Sequence, residues 1–221
     1  MKNFNKLSLC LISILLVLSL YSYGQSATDL IPSVDIKCDF VDTPNIFADN
    51  VQGFGMKPDR WLEIDVTYTM KSDFVGKGSN QLPKWIDDMS IEYELLLPGT
   101  NRMTHLSGKV TYWSIPLDGK EHHAIAFVHP RFIKRYAPEI KTNSATAKKI
   151  LVKVSFILNS APIGGNYYPV KDAKNVAKDF MAVAKNPAIN RVPNSIFGPD
   201  KTPWNYLNYD YYELIKSDNQ R

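Results

Sequence analysis

Apolar and polar residues alternate with a period of two along much of this chain. Val34, Ile36, Cys38 and Phe40 share one face while Asp35, Lys37 and Asp39 share the other. Leu62, Ile64, Val66, Tyr68 and Met70 repeat the pattern against Glu63, Asp65, Thr67, Thr69 and Lys71, and Met89, Ile91, Tyr93, Leu95 and Leu97 do so again. Successive side chains of a strand point to opposite faces, so each run predicts a strand with one dry face and one wet face, as antiparallel sheets have. Further strands are predicted at 103–115, 123–128 and 149–159, the last being the most apolar and expected to lie centrally in the core. Six or more strands with turn signals between them predict a mainly β fold, an antiparallel β-sandwich. Helices are few. One or two turns are predicted at 130–136, and a longer helix at 172–185. There Ala173, Val176, Ala177, Phe180, Val183 and Ala184 form a stripe at helical spacing that Asn186 and Pro187 end. The run Pro162-Ile163-Gly164-Gly165-Asn166 reads as a turn, whose glycines permit positive φ. Two long connections, 42–60 and 186–203, are of the kind that often carries function in a compact domain. Residues 203–216 fit a helical face through Leu207, Tyr211, Leu214 and Ile215 and equally an edge strand through Tyr209, Tyr211 and Glu213; the pattern leaves both open.

The first two dozen residues follow a different rule. Lys2 and Lys6 precede an almost unbroken apolar run at 7–20, and Ser22 and Gly24 then stand at the −3 and −1 spacing that a signal peptidase accepts. This is the layout of a secretory signal peptide, with a core too short for a comfortable membrane span. The expected organisation is a signal peptide at 1–24, cleaved after Gly24, and one β-sandwich domain at 25–221. The mature protein is thereby expected outside the cytoplasm, in the periplasm, associated with the outer membrane or at the cell surface, with no transmembrane segment after cleavage. The formal net charge is +4, and two of those charges leave with the leader, so nucleic acid has no electrostatic claim as a partner. Cys10 lies in the leader and Cys38 stands alone in the mature chain, so no intramolecular disulfide forms and a packed core must supply stability. Cys38 alternates with apolar residues and reads as a small core side chain. The residues before Cys10, Leu7-Ser8-Leu9, lack the small side chain expected ahead of a lipidated cysteine.

Catalytic signatures are weak. His122 and His123 are adjacent on a predicted strand and point to opposite faces, the wrong geometry for two ligands of one metal. His105 and His129 read as loop or surface residues. Asp87-Asp88 and Glu92/Glu94 supply carboxylates, but the last two share a polar strand face that is expected to be charged anyway, and nothing marks one as an acid of raised pKa. There is no G-x-S-x-G elbow, and Gly76-Lys77-Gly78-Ser79-Asn80 lacks the spacing of a phosphate loop. No catalytic, cofactor-binding or metal-ligating residue is assigned, and the chain reads as non-enzymatic.

Aromatic residues are the better lead. Trp61 and Trp113 fit a sandwich core or its open ends. Trp85 and the tail from Trp204 to Tyr212 sit in or beside loops, where rings serve as anchors for a protein or as stacking platforms for sugars. The candidate partner-binding residues are therefore Phe54, Trp85, Trp204, Tyr206, Tyr209, Tyr211 and Tyr212.

A resemblance sharpens this reading. The strand from Lys149 to Ser160, then Pro162-Ile163-Gly164-Gly165, a short helix, Lys201-Thr202-Pro203-Trp204 and Tyr209-Asp210-Tyr211-Tyr212-Glu213 resemble small exported proteins of Verrucomicrobia encoded in type IV pilus-like gene clusters. That group is similar to immunoglobulin-like archaellum and pilus-associated proteins. The resemblance spans roughly residues 33–216 and implies an immunoglobulin-like sandwich, no cofactor, and an accessory or structural role in a pilus-like or cell-envelope assembly, through contacts with other envelope or pilus-system proteins. It carries no catalytic residue. No hydrophobic helix survives signal cleavage, so the chain is not expected to be a pilin subunit with a retained N-terminal spine. The alternative expectation is an extracytoplasmic carbohydrate-binding module using exposed Trp and Tyr on glycans.

Overall fold

The computed structural model describes residues 30–44, 59–71, 85–99, 103–206 and 211–216. The leader, the 76–80 segment, Phe54 and Tyr209 lie outside them. The protein is mainly β, in two antiparallel-dominated sheets packed face to face. One sheet holds β1 (Ser33–Val41), β2 (Trp61–Thr69), β7 (Glu121–Val128) and β11 (Ile196–Phe197), in that order. The other runs β10 (Asn190–Val192), β5 (Met103–Tyr112), β4 (Met89–Pro98), β8 (Leu151–Leu158) and β9 (Ala161–Tyr168). A small ladder joins β3 (Trp85–Ile86) to β6 (Ile115–Pro116).

Alternation does the work that the sequence implies. Ile36, Cys38 and Phe40 of β1, Leu62, Ile64, Val66 and Tyr68 of β2, and Ala124, Ala126 and Val128 of β7 are buried. Across from them lie Ile91, Tyr93, Leu95 and Leu97 of β4, Leu106 and Val110 of β5, and Val152, Val154 and Phe156 of β8 in the same core. Each such Val, Leu, Ile or Phe side chain contributes about 1.5–3 kcal/mol by leaving water. β8 is an interior strand, flanked by β4 and β9. Its outward Leu151 is apolar for a reason: α3 (Ala173–Lys185) lies over that end of the sheet, packing Val176, Phe180 and Val183 on Leu96, Leu151 and Tyr167. The short α1 (Pro130–Tyr136) is capped by His129, whose Nδ1 accepts from the Arg131 amide at 3.0 Å. A third short helix, α2 (Ser144–Ala147), precedes β8. Among the described residues no helix is long and apolar enough to cross a membrane.

One expectation fails here. Residues 161–168 are strand β9 rather than a turn, and the reversal occurs one step earlier, at Asn159 and Ser160, both with positive φ. A register shift beside Phe156 and Ile157 accommodates Pro162, a bulge of the kind that lets proline sit in a sheet.

A sandwich has two open sides, and backbone crosses each. On one side Ile31 seats against Gly164, where a Cβ would lie 2.9 Å from the Ile31 Cβ, and Asn166 Nδ2 donates to Val34 O at 2.7 Å. On the other, the chain pairs parallel to β5 as β10 and then antiparallel to β7 as β11, switching sheets within a few residues. Gly108 makes room for that crossing, since a Cβ there would sit 2.2 Å from Ile196 O. Gly108→Ala is therefore expected to lower stability by about 1–3 kcal/mol, read as a reduced urea midpoint at unchanged slope.

Candidate functional site

Three regions gather the polar and aromatic side chains that a hydrophobic core does not explain. The first is the outer face of the β1–β2–β7 sheet. Such a face should be wet, yet Ile125 and Phe127 are buried on it, because the C-terminal segment lies over them. Trp204, in the 3-10 turn Pro203–Tyr206, stacks on Phe127 with centroids 4.2 Å apart and meets Trp61 edge-on at 5.4 Å. Tyr212 packs on the same cluster, and Tyr211 stacks on His123 at 3.9 Å. Next to Tyr212 stand Asp65 and Glu63, and Asp39 lies opposite Glu63 on β1. Burial, then Asp65 and Asp39, push the Glu63 carboxyl up to about 7. Burial also raises Asp65, against the pull of His123 and Lys37.

The second region is the mouth between β7 and β5. Residues 211–216 pass through it as a turn at Tyr211, a bend at Tyr212 and a single antiparallel bridge of Ile215 to Tyr112, so these residues form neither the helix nor the edge strand that the sequence left open. Glu213 N donates to His123 O at 3.0 Å, Trp113 N donates to Leu214 O at 2.8 Å, and Lys216 N donates to Thr111 O at 2.8 Å. The tail thus bonds to both sheets. Beneath it His122 is buried, with Nδ1 2.6 Å from Glu213 Oε1 and its ring stacked on Tyr68 at 5.4 Å. Its Nε2 lies 3.3 Å from Asp118 Oδ1, near enough for ion pairing but not aligned for a hydrogen bond. Lys216 pairs with Asp88 and sits over the Trp113 ring, 4.3 Å from its centroid.

The third region is the part of the five-stranded sheet's outer face that α3 leaves uncovered. Glu94 accepts from Lys153 Nζ at 2.5 Å and lies 2.9 Å from His105 Nε2, and the Phe180 ring meets His105 edge-on. The hydrogen bond with His105 and the ammonium of Lys153 hold the Glu94 carboxyl at about 2, against the upward push of burial. Beside this trio Ser90 and Thr111 share a hydroxyl hydrogen bond of 2.9 Å. Two shallow hollows, of about 320 and 510 Å³, meet at Glu92 and Lys109.

Set against the expected partner-binding residues, the structure divides them. Trp85 is 56% exposed and Tyr211 58% exposed, whereas Trp204 and Tyr212 spend most of their surface on the protein's own sheet. The Tyr206 backbone lies in the 3-10 turn, and its side chain is outside what the structure describes. Trp61 is buried, but in the outer cluster rather than between the sheets. Two histidines carry roles that the sequence reading missed. His105 and Glu94 are paired rather than solvated, which no local pattern signals because β5 and β4 meet by register (Leu96↔His105). His122 falls in the same alternation as Ala124, Ala126 and Val128, and that phase placed it inward.

A protein-family model matches residues 25–219. The chain belongs to that family. No curated protein matches it. Among solved structures, a crystal structure of a protein from Akkermansia muciniphila, a verrucomicrobial species, superposes with a TM-score of 0.63 at 16% identity, covering 85% of this chain and 95% of that one. At that identity the likeness establishes a shared fold.

The Glu94 trio makes a pH-dependent prediction. A carboxylate held below its ordinary range stabilises the fold above about pH 4.5, and that contribution is lost as pH falls toward 2. Glu94→Gln should cost about 1–3 kcal/mol at pH 7 and much less at pH 3, as measured by urea unfolding at both pH values.

Proposed function

We propose that the mature chain is a non-enzymatic, exported binding domain that works by protein–protein contact in a cell-envelope or pilus-like assembly. The observation that carries this reading is Trp85. It stands 56% exposed on an ordered two-residue strand, with its backbone fixed against Pro116 while Ile86 beside it is buried. A large ring held out of the core by rigid backbone is the kind of anchor that dominates interface energetics. Leu214, 67% exposed, is tied to the same stretch of chain through the bond from Trp113 N, so two exposed apolar side chains flank residues 112–116. The leader-like N-terminus supports export, and the family match begins at residue 25, just past the expected cleavage point. The envelope role itself comes from the resemblance, and the structural match supports the fold on which the reading rests.

The test is native-expression cross-linking followed by identification of attached proteins, for the wild type and for Trp85→Ala. Recovery with envelope or pilus-system proteins, lost in Trp85→Ala while its unfolding free energy stays within about 0.5 kcal/mol of wild type, is the expected result. Recovery of the wild type as a free monomer overturns it. Glycan-dependent quenching of Trp85 fluorescence in place of protein capture assigns the ring to carbohydrate instead.

A further inference from the structure

We propose that His122 is a protonation-controlled latch for the C-terminal segment: doubly protonated, it holds residues 211–216 across the mouth between the two sheets, and losing one proton loosens that segment. The latch does not depend on the envelope reading above.

Two carboxylates from separate parts of the chain converge on one buried ring. Asp118 comes from the turn before β7, Glu213 from the tail, and the His122 side chain between them is 4% exposed. An imidazolium donates its Nδ1–H to Glu213 and sets its positive charge against Asp118, 3.3 Å from Nε2. A neutral ring keeps one N–H and turns a lone pair toward the other carboxylate. Asp118, itself 34% exposed and bonded to the Lys120 amide, can turn to water. Glu213, with a side chain only 14% exposed, is left enclosed without a counter-charge, which is costly unless the tail moves out.

The other groups around His122 do not substitute for its charge. From β2, Tyr68 stacks on the ring, and its hydroxyl has no hydrogen-bond partner among the described residues. From β4 and β5, Tyr93 and Tyr112 bond to each other at 3.3 Å. Burial raises all three phenols, so they stay neutral at physiological pH. Lys120 is 3.8 Å from Asp118 and mostly exposed. On the opposite face of β7, Glu121 and His123 pair with each other at 3.4 Å. Burial opposes protonation of His122, yet Glu213 and then Asp118 outweigh it and raise the imidazole above its ordinary value of 6.5. The linkage follows in sign: the latch is fully engaged below about pH 6.5 and is lost as pH rises through the raised value. Loosening would bare the Trp113 amide and the His123 and Thr111 carbonyls, an unpaired edge open to an incoming strand.

Hydrogen exchange by NMR on the mature chain tests this, with rates corrected for intrinsic pH dependence and referred to the core amide of Tyr93. Protection of the Trp113, Glu213 and Lys216 amides should fall by roughly tenfold or more between pH 6 and pH 9, in step with titration of the His122 ring. Glu213→Gln should abolish the pH dependence, and Asp118→Asn should reduce it. Glu63, which faces Tyr212 and also titrates near neutrality, is the rival cause, so Glu63→Gln must leave the dependence intact. Protection that is independent of pH in the wild type, or a pH dependence that survives in Glu213→Gln or vanishes in Glu63→Gln, overturns the latch.

Discussion

The rest of the structure depends on how the two open sides of the sandwich are closed. The core between the sheets is made by alternation alone and would form with many apolar sequences. What makes this sandwich particular is that its edges are joined by backbone that belongs wholly to neither sheet. Ile31 against Gly164 and Asn166 to Val34 close one side. The β10-to-β11 crossing over Gly108 and the tail at 211–216 close the other. Unpaired strand edges invite foreign strands, so these crossings settle which edges the protein keeps for itself. The side where β9 ends carries a proline and a register shift, both of which spoil pairing. The β5–β7 side has neither and relies on a covering segment.

That reliance explains why titratable groups concentrate there. A segment of six residues with its Leu214 and Tyr211 largely exposed buries little apolar area, so hydrogen bonds and charge must hold it. On the outer face, Tyr212 comes down beside Glu63 and Asp65, and at the mouth Glu213 comes down on His122. Both arrangements favour the protonated state: Glu63 is raised to about 7 and His122 is raised as well. The opposite face of the molecule has the reverse preference, because His105 and Lys153 keep Glu94 ionised. Lowering pH therefore tightens one side of the domain and, below the carboxylate range, undermines the other. The two sides respond in different pH windows, so they can be told apart in one titration.

The fold was legible because its dominant signal is periodic and repeated. Five predicted strands match β1, β2, β4, β7 and β8 to within two residues or so, and the sixth, at 103–115, runs across β5 into β6. The helices at 130–136 and 172–185 have their breakers in the sequence. What failed was local: Gly164 and Gly165 look like turn residues but serve close approach inside a strand, a purpose that appears only once Ile31 and Val154 are placed against them. The sites were less legible for a related reason. Trp204, Tyr211 and Tyr212 announce themselves by composition, but whether they face a partner or the protein's own sheet depends on β7 being bare on its outer side. The sequence hint was Ile125 and Phe127, apolar residues out of phase with Ala124 and Ala126. The His105–Glu94 and His122–Glu213 pairs join residues 11 and 91 positions apart, distances over which no spacing rule operates.

The binding function proposed above would leave little trace in sequence, for a physical reason. Catalysis needs several side chains held at fixed distances from one reacting atom, which restricts residue types at recognisable positions. Docking by an edge uses main-chain groups that every residue has, and docking by an anchor needs one large ring on rigid backbone. In this chain the candidates for both elements sit on one short stretch. Residues 112–116 carry Trp113, whose amide holds the tail, and Pro116, against which Trp85 is fixed. The tail's attachment and the exposed ring are thus adjacent along one stretch of chain, so the proposed latch would reach the backbone beside Trp85 through Glu213 and Leu214. If Trp85 is the anchor, its presentation will depend on whether the tail is engaged.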